Sequence, residues 1–315
     1  MEKKDLRIVF FGTPEFAVES LNALIQNNFN VVGAVTMPDK IAGRGHKLYQ
    51  SDVKRYATEH GIFLLQPEKL KSEDFLSSLI SLEADLFIVI AFRMLPREVW
   101  QMPRLGTFNL HASLLPKYRG AAPINRAVMN GDTETGVTTF FLKHEIDTGD
   151  MIMQRKIEIK PEDNVGDVHD KLMHLGAEMV VETVNAIIDG TLTTTPQPSG
   201  EFTPAPKIFK EDCRLDWTRT AGEVHNHVRG LSPYPAAWSV LVEESGRPME
   251  CKIFETALTE DPCVGVECGS LRKAGKRLFA ACSDRWLEIK SIQPAGKKRM
   301  ATEAFLLGYH PSHMQ

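Results

Sequence analysis

The run Leu6–Phe11 (LRIVFF) shows none of the in–out alternation of a half-exposed strand. It reads instead as a strand buried on both faces, and only a sheet covered by helices provides that setting. Gly12-Thr13-Pro14 ends the run. Thr13 is expected to cap the next helix, and Pro14 to take its first position, where a missing N–H costs nothing. Ala17, Leu21, Leu24 and Ile25 then recur at helical spacing, and Val31–Thr36 is the next strand, which completes one βαβ unit. The pattern continues with a helix near Val53–His60, a short strand Phe63–Leu65, a helix near Glu73–Leu82, and strands Asp85–Ala91 and Leu105–His111. Such alternation predicts an α/β fold with an open, mostly parallel, Rossmann-like sheet. Val165, Val168, Leu172, Leu175, Met179 and Thr183 mark a long amphipathic helix closing this domain near Gly190.

At 315 residues the chain is long enough for a second domain. Residues 1–190 form the α/β domain in this division, 191–209 a linker, and 210–315 a C-terminal domain. Pro196, Pro198, Pro204 and Pro206 stiffen the linker. Beyond it, Thr220–Arg229 reads as a helix. Five short β-type stretches follow, Trp238–Val242, Met249–Thr256, Gly265–Leu271, Leu278–Ala281 and Trp286–Gln293. Short strands broken by turns predict a small OB-like β-barrel.

No apolar run approaches the roughly 18–20 residues that span a bilayer, so no membrane partner is expected. The charged start Met1–Arg7 does not read as a signal peptide, and a cytoplasmic protein follows as the expectation. The five cysteines match no common zinc spacing and are expected to be reduced thiols. Net charge is −4, yet Gly269–Arg299 carries nine basic residues (Arg272, Lys273, Lys276, Arg277, Arg285, Lys290, Lys297, Lys298, Arg299) against Asp284 and Glu288. A basic stretch on an acidic protein fits either a polyanionic partner or a solvated face.

The densest cluster of unusual residues is Thr107–Gly120 (TFNLHASLLPKYRG). Asn109 and His111 lie two apart on a strand and so face one side, at the carboxyl end where open α/β sheets place their ligand crevice. Burying both is costly unless they hydrogen-bond each other or serve a ligand. Ser113-Leu114-Leu115-Pro116 reads as an irregular loop, and Arg119-Gly120-Ala121-Ala122-Pro123 leads into a helix. Further on, Asp147-Thr148-Gly149-Asp150 forms a turn between the β-like runs Val137–Leu142 and Met151–Ile159, able to project Asp147. Neighbouring histidines are spaced wrongly to make His111 a metal ligand, so no metal is expected. Gly12-Thr13-Pro14 lacks the glycine pattern of dinucleotide and P-loop sites, which argues against a nicotinamide oxidoreductase.

Asn109-x-His111, Ser113-Leu114-Leu115-Pro116, Arg119–Pro123 and Asp147-Thr148-Gly149-Asp150 together resemble the signature of the 10-formyltetrahydrofolate-dependent formyltransferases. The resemblance covers essentially the whole chain. It implies Asn109, His111 and Asp147 as the catalytic trio, Ser113, Leu114, Leu115 and Pro116 as the folate-binding loop, and 10-formyltetrahydrofolate as the formyl donor. Phe11–Phe16 resembles the opening motif of the branch that formylates aminoacylated initiator tRNA, with Gly12, Thr13 and Pro14 near the methionyl end. Pro38–Leu48 resembles that branch's basic tRNA-contacting loop, which makes Lys40, Arg44, His46 and Lys47 tRNA-binding candidates. Lys207 matches a further tRNA-contact position, and Gln293–Lys298 resembles a segment of the branch's C-terminal barrel. Two departures are visible. Ala91-Phe92-Arg93-Met94-Leu95-Pro96 is one residue shorter than the family's usual run, with Arg93 where glycine is usual, and His46 replaces a lysine or arginine.

The expected reaction is formyl transfer to the α-amine of methionyl initiator tRNA. Asn109 and a protonated His111 would steady the oxyanion, and Asp147 would support His111 and help move a proton. The amine is itself a nucleophile, so no covalent enzyme intermediate is required. A monomer suffices for this chemistry. Competing expectations are a formyltransferase acting on glycinamide ribonucleotide or an amino sugar, and an RNA-binding protein with an inactive α/β domain.

Overall fold

The structure, a computed structural model, describes residues 2–42, 47–145, 147–198 and 202–315. Its contacts divide the chain into two units, one of Met1–Gly120, Gly136–Ile157 and His169–Pro204, the other of Ala121–Thr135, Glu158–Val168 and Ala205–Gln315.

The first half of the chain runs β1 (Arg7–Gly12), α1 (Glu15–Gln26), β2 (Asn30–Val35), β3 (Lys40–Ala42), β4 (Lys47–Tyr49), α2 (Asp52–Glu59), β5 (Leu64–Leu65), α3 (Glu73–Ser81), β6 (Leu86–Ile90), α4 (Arg97–Trp100) and β7 (Thr107–His111). There follow β8 (Arg119–Gly120), α5 (Pro123–Met129), β9 (Glu134–Phe141), β10 (Met151–Glu158) and α6 (Val165–Asp189). The main sheet of the first unit has the order β10-β9-β7-β6-β1-β2-β5. From β7 to β5 the neighbours are parallel, and β9 pairs with β7 antiparallel, so the expected mostly parallel α/β sheet is present. Strand β1 is its centre. Ile8, Val9, Phe10 and Phe11 are fully buried, each worth about 1.5–3 kcal/mol in apolar surface removed from water. Register sets Gly12 beside Ile90, and Ile90 beside Leu110. The carboxyl ends of β1, β6 and β7 therefore line up in one row, with the segments after Gly12, Ile90 and His111 leaving the sheet side by side.

One expectation fails here. Pro14, at φ −84° and ψ 175°, is extended and takes the N-cap place itself, so α1 starts at Glu15, where an acidic residue suits the helix dipole. Thr13 does not cap it. Its Oγ1 is buried without a hydrogen-bond partner among the described residues, while its carbonyl accepts from Val53 N at 3.3 Å.

The remaining elements are β11 (Pro204–Ala205), α7 (Ala221–Leu231), β12 (Ala237–Glu243), β13 (Pro248–Pro262), β14 (Leu271–Ala274), β15 (Arg277–Ala281), β16 (Arg285–Pro294), β17 (Met300–Ala301), α8 (Thr302–Phe305) and β18 (Pro311–Met314). Sheet order β14-β15-β16-β13-β12-β18, with β17 on β16, makes an antiparallel barrel. It nearly closes where Met314 N donates to Gly269 O at 2.7 Å and Ser270 bridges His313. A side chain on Gly269 (φ +87°) would overlap the Met314 carbonyl, so the closing contact needs glycine. The small barrel is as expected, but Gly265–Leu271 is not a strand. Positive φ at Gly265 and Gly269 turns the chain there, and the strand begins only at Leu271. Trp217, Val224, Val228, Leu231, Ile253, Leu287, Ile289 and Phe305 fill the core of this unit. Helix α7 opens with a full capping box of Thr220 and Glu223, and α5 rests on it, Asn125 Nδ2 donating to Gly230 O at 2.8 Å.

Of the nine basic residues between Gly269 and Arg299, five meet carboxylates: Arg272 with Asp261, Lys276 with Glu303, Arg277 with Glu288, Arg285 with Asp284 and Glu260, and Arg299 with Glu255. Barrel folding brings in acids that a local count misses, which reduces the local positive field. All five cysteines are free thiols, and burial pushes Cys251 and Cys282 up to about 12. Among the described residues no helix is long and apolar enough to cross a membrane.

Burial, helped by Arg229 beside His225 and Arg219 beside His227, holds both imidazoles below the ordinary histidine range. The unfolded chain then binds protons first as pH falls. Their contribution to stability is therefore intact above about pH 6.5 and is lost as pH drops from there toward the folded-state values. The His225→Gln/His227→Gln double variant is expected to lose less melting temperature than the parent between about pH 7.5 and 5.5. Parallel melting curves for the two proteins would refute this.

Candidate active site

Strand β7 carries Asn109 and His111 on one face, as alternate residues of a strand must be. His111 is 7% exposed, and its Nε2 lies 2.8 Å from the Tyr118 carbonyl. A carbonyl only accepts, so Nε2 carries the hydrogen and Nδ1 is the ring position left for chemistry. Nδ1 faces Asp147 Oδ2 at 3.9 Å, both side chains about nine-tenths buried. That gap is too long for a direct hydrogen bond. Asn109 is half-buried, and its amide makes no hydrogen bond among the described residues, which leaves it available to a ligand.

Asp147 is presented by the loop between β9 and β10. Its backbone is left-handed (φ +53°), a conformation Asp tolerates better than most residues. Its Oδ2 accepts from Gly120 N at 3.0 Å. Two residues on, Gly149 lies so close to β9 that a Cβ there would overlap the Phe141 carbonyl oxygen. Gln197 reaches in from the segment after α6, and its Nε2 donates to the carbonyls of Asp147 (2.7 Å) and Gly149 (2.9 Å). The three residues expected to act together thus converge at the carboxyl edge of the sheet.

In the loop after β7, Ser113 (0% exposed) and Leu115 (3%) are inside the protein, whereas Leu114 and Pro116 are half-buried. Ser113 Oγ donates to Lys117 O (2.6 Å), Thr138 Oγ1 donates to Ser113 O (2.7 Å), and Gln154 Nε2 donates to Leu115 O (3.1 Å). Ser113 and Leu115 thereby fix the loop, and Leu114 and Pro116 are its accessible part. Gly12, Thr13 and Pro14 leave the sheet two strands away, at the end of β1. Arg93, which stands where the resemblance leads one to expect glycine, turns its guanidinium to the carbonyls of Pro67 and Glu68. Its Nε is buried without a partner among the described residues, and burial holds the group below the ordinary arginine range.

Lys40 is exposed on β3, which pairs with β4, the strand Lys47 opens. Arg44 and His46 lie outside the described residues, as does the placement of the Lys47 side chain. The hairpin is anchored by Asp39, which pairs with Lys54 (2.5 Å) and accepts from Gln66 (2.9 Å). The Lys54 bond first, then Gln66, holds its carboxyl below the usual range. Lys207 is exposed and stands 5.5 Å over the ring of Phe209. Among the described residues, no group of three or more His, Cys, Asp or Glu side chains could hold a metal.

Nothing in the sequence singles out Tyr118, Thr138, Gln154 or Gln197. Tyr118 adjoins the recognised motif and acts through a carbonyl, which no residue type advertises. Gln197 sits in what reads as linker, fifty residues from Asp147.

Residues 6–184 match the family model for formyl transferase, and residues 207–310 match that for the formyl transferase C-terminal domain. A methionyl-tRNA formyltransferase of Bacteroides fragilis is 58% identical over 98% of this chain and 97% of that protein. One from Flavobacterium johnsoniae is 50% identical with the same coverage. The fold is shared with the crystal structure of a sugar 3N-formyl transferase in the presence of dTDP and 5-N-formyl-THF, at TM-score 0.67 and 18% identity over 93% of this chain and 99% of that one. With both domains matched and relatives aligned end to end at half identity or more, the chain belongs to the formyl transferase family.

Proposed function

We propose that the chain transfers the formyl group of 10-formyltetrahydrofolate to the α-amine of methionine on charged initiator tRNA. What carries this reading is the Asn109 amide, without a partner among the described residues, beside the His111–Asp147 pair at the carboxyl edge of the sheet, in a chain whose end-to-end relatives bear the name methionyl-tRNA formyltransferase. A sugar substrate has weaker support, because sugar enzymes of similar fold are only 18–22% identical.

The amine nitrogen bonds to the formyl carbon, negative charge gathers on the formyl oxygen, and collapse breaks the carbon–N10 bond, so that tetrahydrofolate leaves with a proton on N10. The Asn109 amide donates to that oxygen, a contribution of about 2.7–4 kcal/mol for one such group. His111, its Nε2–H tied to Tyr118, takes the amine's proton at Nδ1, beside the Asp147 carboxylate, and returns it to N10. An amine needs no metal to attack an activated formyl carbon. Leu114 and Pro116 contact the folate, over a loop shaped by Ser113 and Leu115. The Thr13 Oγ1, buried and unpaired among the described residues, and the backbone of Gly12 and Pro14 border the methionyl end.

Residues 1–190 house the chemistry, 191–209 link the domains, and 210–315 hold the tRNA. Lys40, Arg44, His46 and Lys47 follow the acceptor-stem phosphates, while Lys207 adds a contact beside the exposed Phe209 ring. The protein acts in the cytoplasm, as a monomer.

The test compares charged initiator and charged elongator methionine tRNA as substrates with 10-formyltetrahydrofolate. Formylation strongly favouring the initiator is expected. Equal rates on both, or transfer only to small amines, would overturn the assignment of substrate.

A further inference from the structure

We infer that Gln197 is a positioning residue of the transfer reaction, holding the Asp147 loop in its active shape from the segment after α6; this rests on the reading of Asp147 given above. Arg119 Nη2 (2.5 Å) and Nε (3.2 Å) both meet one oxygen of Gln197. Guanidinium only donates, so that atom is Oε1 and the other is the amide nitrogen. The amide nitrogen has two hydrogens, and both are used, on the carbonyls of Asp147 (2.7 Å) and Gly149 (2.9 Å). Every polar atom of the side chain is thus spent on one task.

The depth at which Gln197 enters is set nearby. Thr195 and Met151 exchange backbone hydrogen bonds at 2.8 and 2.9 Å, which ties this segment to the first residue of β10. At the other end, Arg119 N donates to Thr203 O (3.1 Å), and its guanidinium stands 5.1 Å over Phe202. Gly120 N, the next backbone donor, holds the Asp147 carboxylate. The same two residues therefore fix the carboxylate and, through Gln197, the backbone that bears it. Asp147 sits at positive φ, where a non-glycine residue stays only if its surroundings fix it. Two carbonyl bonds from one rigid amide supply that fixing. Thr195, Gln197 and Thr203 thereby contribute to the site, beyond any role of their segment in joining domains.

The experiment is steady-state and single-turnover formylation by Q197A, Q197E, D147A and the Q197A/D147A double variant, with melting curves for each. Q197A is expected to lose about 10- to 100-fold in kcat, with KM for donor and tRNA changed by less than about 2-fold, since the loop misplaces a reacting group without touching substrate. In the D147A background, Q197A is expected to cost nothing further. Q197E keeps the acceptor for Arg119 but turns a carboxylate on two carbonyls. Its rate relative to the parent is expected to recover as pH is lowered and the carboxyl regains a hydrogen, a response that a merely destabilised fold lacks. Near-parental kcat in Q197A, or an undiminished effect of Q197A in the D147A background, overturns the proposal. Normal turnover in D147A overturns the reading of Asp147 and the proposal with it. Loss in D147A with normal turnover in Q197A overturns the proposal alone.

Discussion

Replacing Asn109 by Ala is expected to lower kcat by about 100- to 1,000-fold, the effect of removing one oxyanion donor, with little change in KM or melting temperature. The half-buried amide makes no internal hydrogen bond among the described residues, so its removal leaves nothing unpaired. His111→Ala is expected to lose at least as much activity but also some stability. It opens space at a 7% exposed position and removes the hydrogen bond to the Tyr118 carbonyl, worth about 0.5–1.5 kcal/mol. Asn109 is therefore the cleaner probe. Its variant separates chemistry from folding, and an intact melting curve with collapsed turnover is the expected outcome. Near-parental turnover in N109A would remove Asn109 from the mechanism.

The second large effect is expected from Gly149→Ala. A Cβ here would overlap the Phe141 carbonyl oxygen and come within 2.7 Å of the Phe141 carbonyl carbon. Backbone cannot rotate away as a side chain can, so the loop between β9 and β10 must shift, carrying Asp147 with it. Displacement of about 1 Å at a catalytic group costs on the order of 100-fold in rate. The overpacking itself should cost about 1–3 kcal/mol of stability. Gly222→Ala is the control. Gly222 lies in α7 with open space around its missing Cβ, and alanine there should be neutral or stabilising by up to about 1 kcal/mol. If Gly149→Ala turns over like Gly222→Ala, the loop does not position a reacting group.

The parts of this protein written in apolar periodicity are legible in the amino-acid sequence alone. Val9, Phe10 and Phe11 announce a strand with no exposed face, and the spacing from Val165 to Thr183 announces α6. Asn109 and His111 are legible for the opposite reason, as polar residues ending a buried strand, and their roles come from the resemblance to a family. What escapes depends on partners distant in sequence. Thr13 looks like a cap, but Pro14 takes that place because its own backbone is extended. Gly265–Leu271 looks like a strand until two positive-φ glycines turn it. The closing strand Pro311–Met314 is invisible in the sequence, since its four residues carry no pattern without the barrel edge they complete. The basic stretch looks free because counter-ions such as Asp261 and Glu255 come from strand β13, earlier in the chain. Gln197 is the sharpest case, a single polar residue whose meaning exists only once the Asp147 loop has folded beneath it.

The central claim is that this chain moves a formyl group from a folate to methionyl initiator tRNA using Asn109, His111 and Asp147. Its most direct test is a single-turnover reaction with formyl-labelled 10-formyltetrahydrofolate and charged initiator tRNA, run side by side with the parent and N109A, counting label on the methionine nitrogen. The account predicts one label per charged tRNA from the parent and a rate lower by about two orders of magnitude or more from the variant. Labelled methionine appearing equally fast with both proteins, or label never reaching tRNA while the folded parent and intact donor are present, would contradict it.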